Sequence, residues 1–210
     1  MSVSEPAMGA TDHAHKPLSR SALPSATAAL ARYLIGKLVV RVTSKGVMSG
    51  KIVETEAYPP GDAAGHGFHG ETAANRALFL GRGYAHVYLA YGASWMLNIS
   101  ADAAGVGAGV LFRALEPLEG IEIMQRNRGV ESLRDLARGP GRLAQALAVD
   151  MGLDGVDLCK TGPLWLSAGP RGALDIGVST RIGISKETER PLRFYVRDNR
   201  FVSGAKALNA

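Results

Sequence analysis

Cysteine is almost absent from this chain of 210 residues: Cys159 stands alone. A lone thiol cannot close an internal disulfide, which excludes a disulfide-stapled secreted scaffold and suits a reducing compartment. Nothing around Cys159 in the sequence looks like a partner base, so a buried or half-buried thiol is expected rather than a nucleophile. Long apolar runs are missing too. No stretch approaches the ~18 to 20 residues that a membrane-spanning helix needs, and the N-terminus lacks the basic-then-apolar order of a secretory signal. No membrane association is expected. The chain also lacks an H-E-x-x-H pair, internal repeats and any linker that would divide it.

What is present is ordinary globular material, 46% hydrophobic and 20% charged, with a net charge of +5. The length fits one domain with a real core. A mild positive excess suits a polyanion partner without proving one. Positions 181–200 hold Arg181, Lys186, Arg190, Arg193, Arg197 and Arg200 against Glu187, Glu189 and Asp198. On charge alone a solvated surface accounts for that stretch at least as well as a nucleic-acid face.

Residues 1–16 are small and polar, broken by Pro6 and Gly9 and followed by Pro17, and read as a flexible tail. A helix is expected over 25–36, strands over 38–42 and 47–58, and a long irregular loop over 59–82. Strands are expected at 86–90 and 96–100 around a turn at 91–94, then at 109–115. Pro117 should open a helix that stops near Gly129. A second helix is expected over 141–150, and a last strand over 192–196. Helix, strands, helices, strands is the order of a mixed α+β single domain, not of a doubly wound one. The run Gly105-Val106-Gly107-Ala108-Gly109 imitates a nucleotide-binding loop but opens no helix, so a hairpin loop is expected.

Four groups of residues have chemical potential. In a strand at 47–58, Ile52, Glu54, Glu56 and Tyr58 share a face. Taken alone, the polar outer side of an edge strand explains that carboxylate pair more simply than a site does. His66 and His69 lie in a Gly-rich loop with no regular element to present them, which disfavours a metal site. Tyr88 can line a pocket, and Tyr91 sits at the expected hairpin tip, where an exposed ring has the geometry of a wedge between base pairs; an ordinary half-buried strand tyrosine is the alternative. Asn98, in an apolar strand, must find hydrogen bonds, structural or from a ligand. Arg113, inside Leu111-Phe112-Arg113-Ala114-Leu115, needs a carboxylate or a phosphate, and Glu56 is the attractive partner.

Together these strings resemble the alkyladenine (3-methyladenine) DNA glycosylase family. The resemblance rests on V-E-T-E-A-Y at 53–58, A-G-H ending at His66, N-R at 75–76, V-Y-L-A-Y-G at 87–92, M-L-N-I-S at 96–100 and L-F-R-A-L-E-P-L-E-G at 111–120. It continues through G-P-G-R-L-A-Q-A-L at 139–147, R-I-G-I at 181–184 and R-P-L-R-F-Y-V-R at 190–197. These occur in family order across residues 25–204.

The resemblance implies a curved antiparallel sheet with flanking helices over residues 17–204, between tails at 1–16 and 205–210, and no metal or other cofactor. It implies that Glu56 activates water, with Arg113 and the backbone of Ile182 holding it. Tyr58, His66 and Tyr88 would stack on a flipped base, Asn98 would sit at the pocket floor against the amino group of normal guanine, and Tyr91 would fill the gap in the duplex. Backbone phosphates would meet Arg138, Arg142, Arg193 and Arg197. The implied activity is hydrolysis of the N-glycosidic bond of damaged purines (3-methyladenine, 7-methylguanine, hypoxanthine and ethenoadenine) in double-stranded DNA by a monomer. Apart from Lys51 no lysine stands near Glu56, so simple hydrolysis to an abasic site is expected rather than lyase chemistry. The expected location is cytoplasmic and nucleoid-associated in a bacterium, nuclear in a eukaryote. Two departures bear on the pocket: one residue fewer separates Glu56 from His66 than the pattern has, and His86 stands where an aromatic is common. The rival readings are an inactive nucleic-acid-binding module of the same fold and a metal hydrolase using His66, His69 and Glu56.

Overall fold

The computed structural model describes residues 15–170 and 172–205. Its frame is one curved antiparallel sheet. The strands are β1 (Leu38–Thr43), β2 (Gly46–Tyr58), β3 (Ala85–Ala90), β4 (Ser94–Ser100), β5 (Gly109–Glu119), β6 (Leu164–Ser167), β7 (Ile176–Ser179) and β8 (Arg193–Val196). The main path runs β3-β4-β5-β2-β1-β6, and β8 joins β2 to β7. β2 is long enough to hold two partners in succession on one side. Its first half pairs with β1, and Glu54, Thr55 and Glu56 then pair with β8, while β5 runs along the other edge. The register slips on both sides of Glu54. Such a bulge re-aims side chains, and it corrects the expectation of strict alternation: Ile52 and Val53 both join the apolar core. The glutamates therefore lie in the middle of the sheet, not on an edge.

Among the described residues three α-helices cover the sheet: α1 (Thr27–Leu34), α2 (Ile121–Arg128) and α3 (Pro140–Ala146). On α1, Leu30, Ala31 and Leu34 recur at helical spacing and are all fully buried, and the Thr55 hydroxyl donates to the Ala31 carbonyl at 3.0 Å. That bond ties the helix to the segment carrying both glutamates.

Three boundary expectations are corrected. Pro117 opens no helix; it lies in β5 opposite Gly50, at a register irregularity where its missing N–H is tolerated. The helix begins at Ile121, after Gly120 takes the left-handed conformation (φ 68°). α3 starts at Pro140 and ends at Ala146, with Ala148 turning left-handed (φ 49°). His15 and Lys16, expected in the tail, are held against the sheet: their carbonyls accept from Trp165 Nε1 and Ser167 Oγ on β6. The remainder of that expected tail, 1–14, and positions 206–210 lie outside the described residues. As expected, residues 101–108 form the loop between β4 and β5. No helix among the described residues is long and apolar enough to cross a membrane.

Gly120 and Gly129, at the two ends of α2, separate two costs of adding a side chain. Both are left-handed, but a Cβ on Gly120 would strike the Val47 carbonyl oxygen, whereas Gly129 has open space around it. Gly129→Ala should lose about 1 to 2 kcal/mol, the left-handed penalty alone. Gly120→Ala should lose clearly more, since backbone must move. Urea unfolding of the two variants measures the difference; equal losses would contradict the steric account.

Candidate active site

At the bulge of β2 the sheet buries four charges. Glu54 is 0% exposed. Its Oε1 accepts from Arg113 Nε (2.9 Å), Arg193 Nε (2.7 Å) and the Ser203 hydroxyl (2.9 Å), and its Oε2 accepts from the Ser203 N–H (2.7 Å). Burial alone would raise its pKa, but the two guanidiniums and the Ser203 N–H outweigh it and hold the carboxyl below the ordinary range.

Glu56, also 0% exposed, has fewer donors. Its Oε1 accepts from the Ile182 N–H at 2.7 Å, and its Oε2 from the Tyr58 hydroxyl and Arg113 Nη1, both at 3.0 Å. Here burial wins and pushes the carboxyl above the ordinary range, against Arg113, the Ile182 N–H and Tyr58. Arg113 thus spans both acids, and their pKa values are displaced in opposite directions. Paired carboxyls with diverging pKa values are a pattern of acid–base sites.

In front of Glu56 opens a cavity of about 350 Å³, within the range of small-ligand sites. Tyr58, His66, Tyr88, Asn98, Arg113 and Ile182 line it, bringing together every side chain expected in the pocket. Glu56 itself is one layer behind the wall, covered by its own hydrogen-bond partners Tyr58, Arg113 and Ile182. Tyr58 is stiffened from behind by Arg181, whose guanidinium lies 4.6 Å from the ring centre. Burial, then Glu56, push the Tyr58 hydroxyl far above the ordinary phenol range, so it stays a donor. His66 stands 4.5 Å from Tyr88, centre to centre.

The β3–β4 hairpin carries Tyr91 to the mouth. Tyr91 is 92% exposed and, with Gly92 behind it, left-handed (φ 52° and 65°). Two successive left-handed residues match the twist of a tight hairpin. A large exposed ring in that conformation is uncommon, and here the turn points it away from the body of the protein.

Several positioning residues escape a sequence reading. Glu54, seen only as a neighbour of Glu56, fixes Arg113. Asn75, of the N-R string, donates to the carbonyls of His66 (2.8 Å) and Gly70 (2.9 Å) and so braces the loop. Asp62, buried, pairs with Arg181 at 2.8 Å and Arg190 at 3.1 Å. His86 accepts or donates at 2.9 Å between its Nε2 and His66 Nδ1, and contacts Asp154 at 3.2 Å through its Nδ1. A buried aspartate or histidine partner far along the chain leaves no local signal; only the buried arginines hint that acids must lie near.

The four arginines expected at DNA phosphates separate. Arg193 is 0% exposed and committed to Glu54 and Ser179, so the expectation for it is corrected: no surface is left to meet a phosphate. Arg138 is half-buried and spends its guanidinium on the carbonyls of Val202 and Gly204. Arg142 and Arg197 are exposed, with loose ion pairs to Asp135 (3.4 Å) and Asp175 (3.5 Å). Cys159 is half-buried, and burial raises its thiol pKa. Among the described residues no three of His, Cys, Asp or Glu stand close enough to hold a metal ion.

Comparison with known proteins gives the arrangement a family. The profile of the methylpurine-DNA glycosylase family matches residues 21–200. A protein of Mesorhizobium japonicum is 66% identical over 92% of this chain and 93% of its own length. One of Paraburkholderia phytofirmans is 51% identical over 91% and 90%, and one of Rubrobacter xylanophilus 46% over 80% and 87%. All three carry the provisional name 3-methyladenine DNA glycosylase. The chain, with its paired glutamates behind an aromatic cavity, belongs to the methylpurine-DNA glycosylase family, hydrolases of N-glycosyl bonds.

Proposed function

We propose that this protein excises alkylated and deaminated purines from double-stranded DNA, as a monomer in the bacterial nucleoid, by turning the damaged nucleotide out of the helix into the cavity behind Tyr91. The observation that carries the reading is the company of parts around one cavity: an exposed ring at the mouth, aromatic walls, and a buried acid–arginine pair behind them. Extruding a base costs a few kcal/mol, least when it is damaged or mispaired. Tyr91 offsets part of that cost by filling the vacated stack. Tyr58, His66 and Tyr88 add roughly 1 to 3 kcal/mol of stacking per base.

Breaking the glycosidic bond places positive charge on the sugar. Glu56, when ionised, stabilises that charge and takes a proton from attacking water. Arg113 Nη1 reaches the Ile182 carbonyl at 3.4 Å as well as Glu56, so acid, guanidinium and carbonyl converge on one point from which a water can be aimed. A purine alkylated at N3 or N7 is already cationic and leaves without an acid; while bound it gains a cation–π contribution. The guanidiniums of Arg142 and Arg197 are the remaining phosphate contacts, and they confer salt-dependent affinity.

One observation favours a second reading, a base-binding module without turnover: Glu56 has no exposed surface in this form. Turnover requires the Tyr58 hydroxyl or the loop at Ile182 to yield its hydrogen bond to water once a base is bound.

Release of free base from methylated DNA and from a duplex with one hypoxanthine decides between the two, since the binding module gives no product. Glu56→Gln should lower the single-turnover rate by at least 100-fold while lesion binding persists; normal turnover would remove the assigned role. Tyr91→Ala should weaken binding to lesion duplex by about tenfold, a fraction of one stacking contribution. Unchanged affinity would show that the ring does not enter the helix. Because Glu56 acts ionised and burial raises its pKa, kcat/KM for 7-methylguanine should fall with decreasing pH through a limb above the ordinary carboxylate range. Tyr58→Phe, which deletes a hydrogen bond that lowers that pKa, should move the limb to higher pH. A limb that stays in place would mean that another group titrates.

A further inference from the structure

Asp62 has no part in the chemistry proposed above, yet its buried carboxylate ties together three segments of the cavity wall. It lies in the loop that carries His66. Its Oδ1 accepts from the Ala64 N–H at 2.9 Å and Arg181 Nη2 at 3.1 Å, and its Oδ2 from Arg181 Nη1 at 2.8 Å and Arg190 Nη1 at 3.1 Å. The pair with Arg181 is two-pronged and both side chains are fully buried, which fixes direction as well as distance. Arg181 and Arg190 bound the segment that supplies Ile182, Gly183 and Ile184 to the cavity. One carboxylate thus holds that segment at both ends.

Arg181 reaches Glu56 by two routes. Its main chain adjoins Ile182, whose N–H donates to Glu56 Oε1 at 2.7 Å. Its Nη1 also donates to the Ala57 carbonyl at 3.0 Å, between Glu56 and Tyr58. Its guanidinium lies 4.6 Å from the centre of the Tyr58 ring, whose hydroxyl donates to Glu56 Oε2 at 3.0 Å. Two of the three donors described for Glu56 therefore depend on one buried cation. The third, Arg113, is held by Glu54.

We propose that Asp62 is a positioning residue which, through Arg181, keeps the Ile182 N–H and the Tyr58 hydroxyl on Glu56 and so sets the pH range in which that acid is ready to activate water. The charged and titratable groups around Glu56 are Glu54 and Tyr58 on β2, Arg113 on β5, Arg193 opposite it on β8, Arg181 beside Ile182, and Tyr88 and His66 on the cavity wall. Burial raises the Glu56 pKa, while Arg113, the Ile182 N–H and Tyr58 oppose it. Losing either of the last two donors lets burial prevail further. Glu56 acts ionised, so activity is present above its pKa and is lost as pH falls through it. A higher pKa moves that loss to higher pH. Charge alone predicts the reverse: without the Asp62 charge Arg181 is less compensated, and a less compensated cation near Glu56 lowers its pKa. The direction of the shift therefore separates positioning from charge.

The consequence for turnover rests on the excision reading proposed above; the tether itself does not, and two measurements keep them apart. In the free protein the side-chain carboxyl 13C resonance of Glu56, identified by its absence in Glu56→Gln, follows the titration without any substrate. Asp62→Asn, which keeps the size and one acceptor oxygen, should raise its midpoint by about one pH unit, the scale of one hydrogen bond to a charged group. Arg181→Lys keeps the positive charge but not the flat guanidinium or its paired donors; it should raise the midpoint too, and it decides the matter if Asp62→Asn fails to fold. A midpoint that falls or stays in place in the folded variant overturns the positioning role. For release of 7-methylguanine the acid limb of kcat/KM should move the same way, so that below the limb kcat/KM drops about tenfold for a limb displaced by about one pH unit. A lower rate at every pH with the limb unmoved would make Asp62 merely structural and overturn the proposal. Release of no base at any pH by the unaltered protein would instead refute the excision reading, with the 13C titration still deciding the tether.

Discussion

The Arg113 guanidinium, clamped between Glu54 and Glu56 at 2.9 and 3.0 Å, is the contact on which the rest of the site depends. Taking ionised carboxylates out of water costs several kcal/mol each unless they are paired and hydrogen-bonded. The two acids have unequal shares of the remedy. Glu54 has two arginines and both donors of Ser203, which hold its carboxyl below the ordinary range and make it a structural anchor. Glu56 has only part of one arginine, one backbone N–H and one phenol, so its charge is the poorly compensated one. It sits one layer behind the cavity wall, where burial raises its pKa. The geometry thus divides one motif, V-E-T-E, into a well-compensated acid and a poorly compensated one.

The cavity and its entrance have a different physical origin. The walls are rings backed by rigid partners: Arg181 behind Tyr58, and His86 behind His66. The entrance is a tight turn that keeps Tyr91 outside the apolar core. An exposed tyrosine in a left-handed turn adds no burial to the fold, and it stands next to an aromatic cavity. Half of the basic C-terminal stretch, by contrast, is spent on buried acids. Arg181 and Arg190 neutralise Asp62, and Arg193 neutralises Glu54, so net charge in that region overstates what is offered to a polyanion.

Local pattern made most of the strands legible, along with the hairpin carrying Tyr91 and the first helix, because alternation and turn residues are short-range signals. Pro117 misled for an equally local reason: a proline is as acceptable at a β-bulge opposite a glycine as in a first helical turn, and only the partner strand decides. The pocket residues could be gathered through family resemblance, and Arg113 could be matched to Glu56 because a buried guanidinium demands an acid. The role of Arg193 was not legible. Nothing near it in the sequence says that β8 replaces β1 beside β2, and that replacement turns a surface-looking arginine into a fully buried charge. The link from His86 to Asp154, 68 residues apart, was hidden for the same reason.

The exchange of β1 for β8 along β2 also bears on how the protein is born. The bonds from Arg193 and Ser203 that compensate Glu54 span 139 and 149 residues, among the longest closures in the chain. During synthesis the paired acids leave the ribosome early and wait, solvated and apart, for the last strand to emerge. Contacts of such long range form slowly because loop entropy must be overcome first. The two acids can be desolvated together only when nearly all of the chain is available, so competence for chemistry and completion of the fold arrive in the same event.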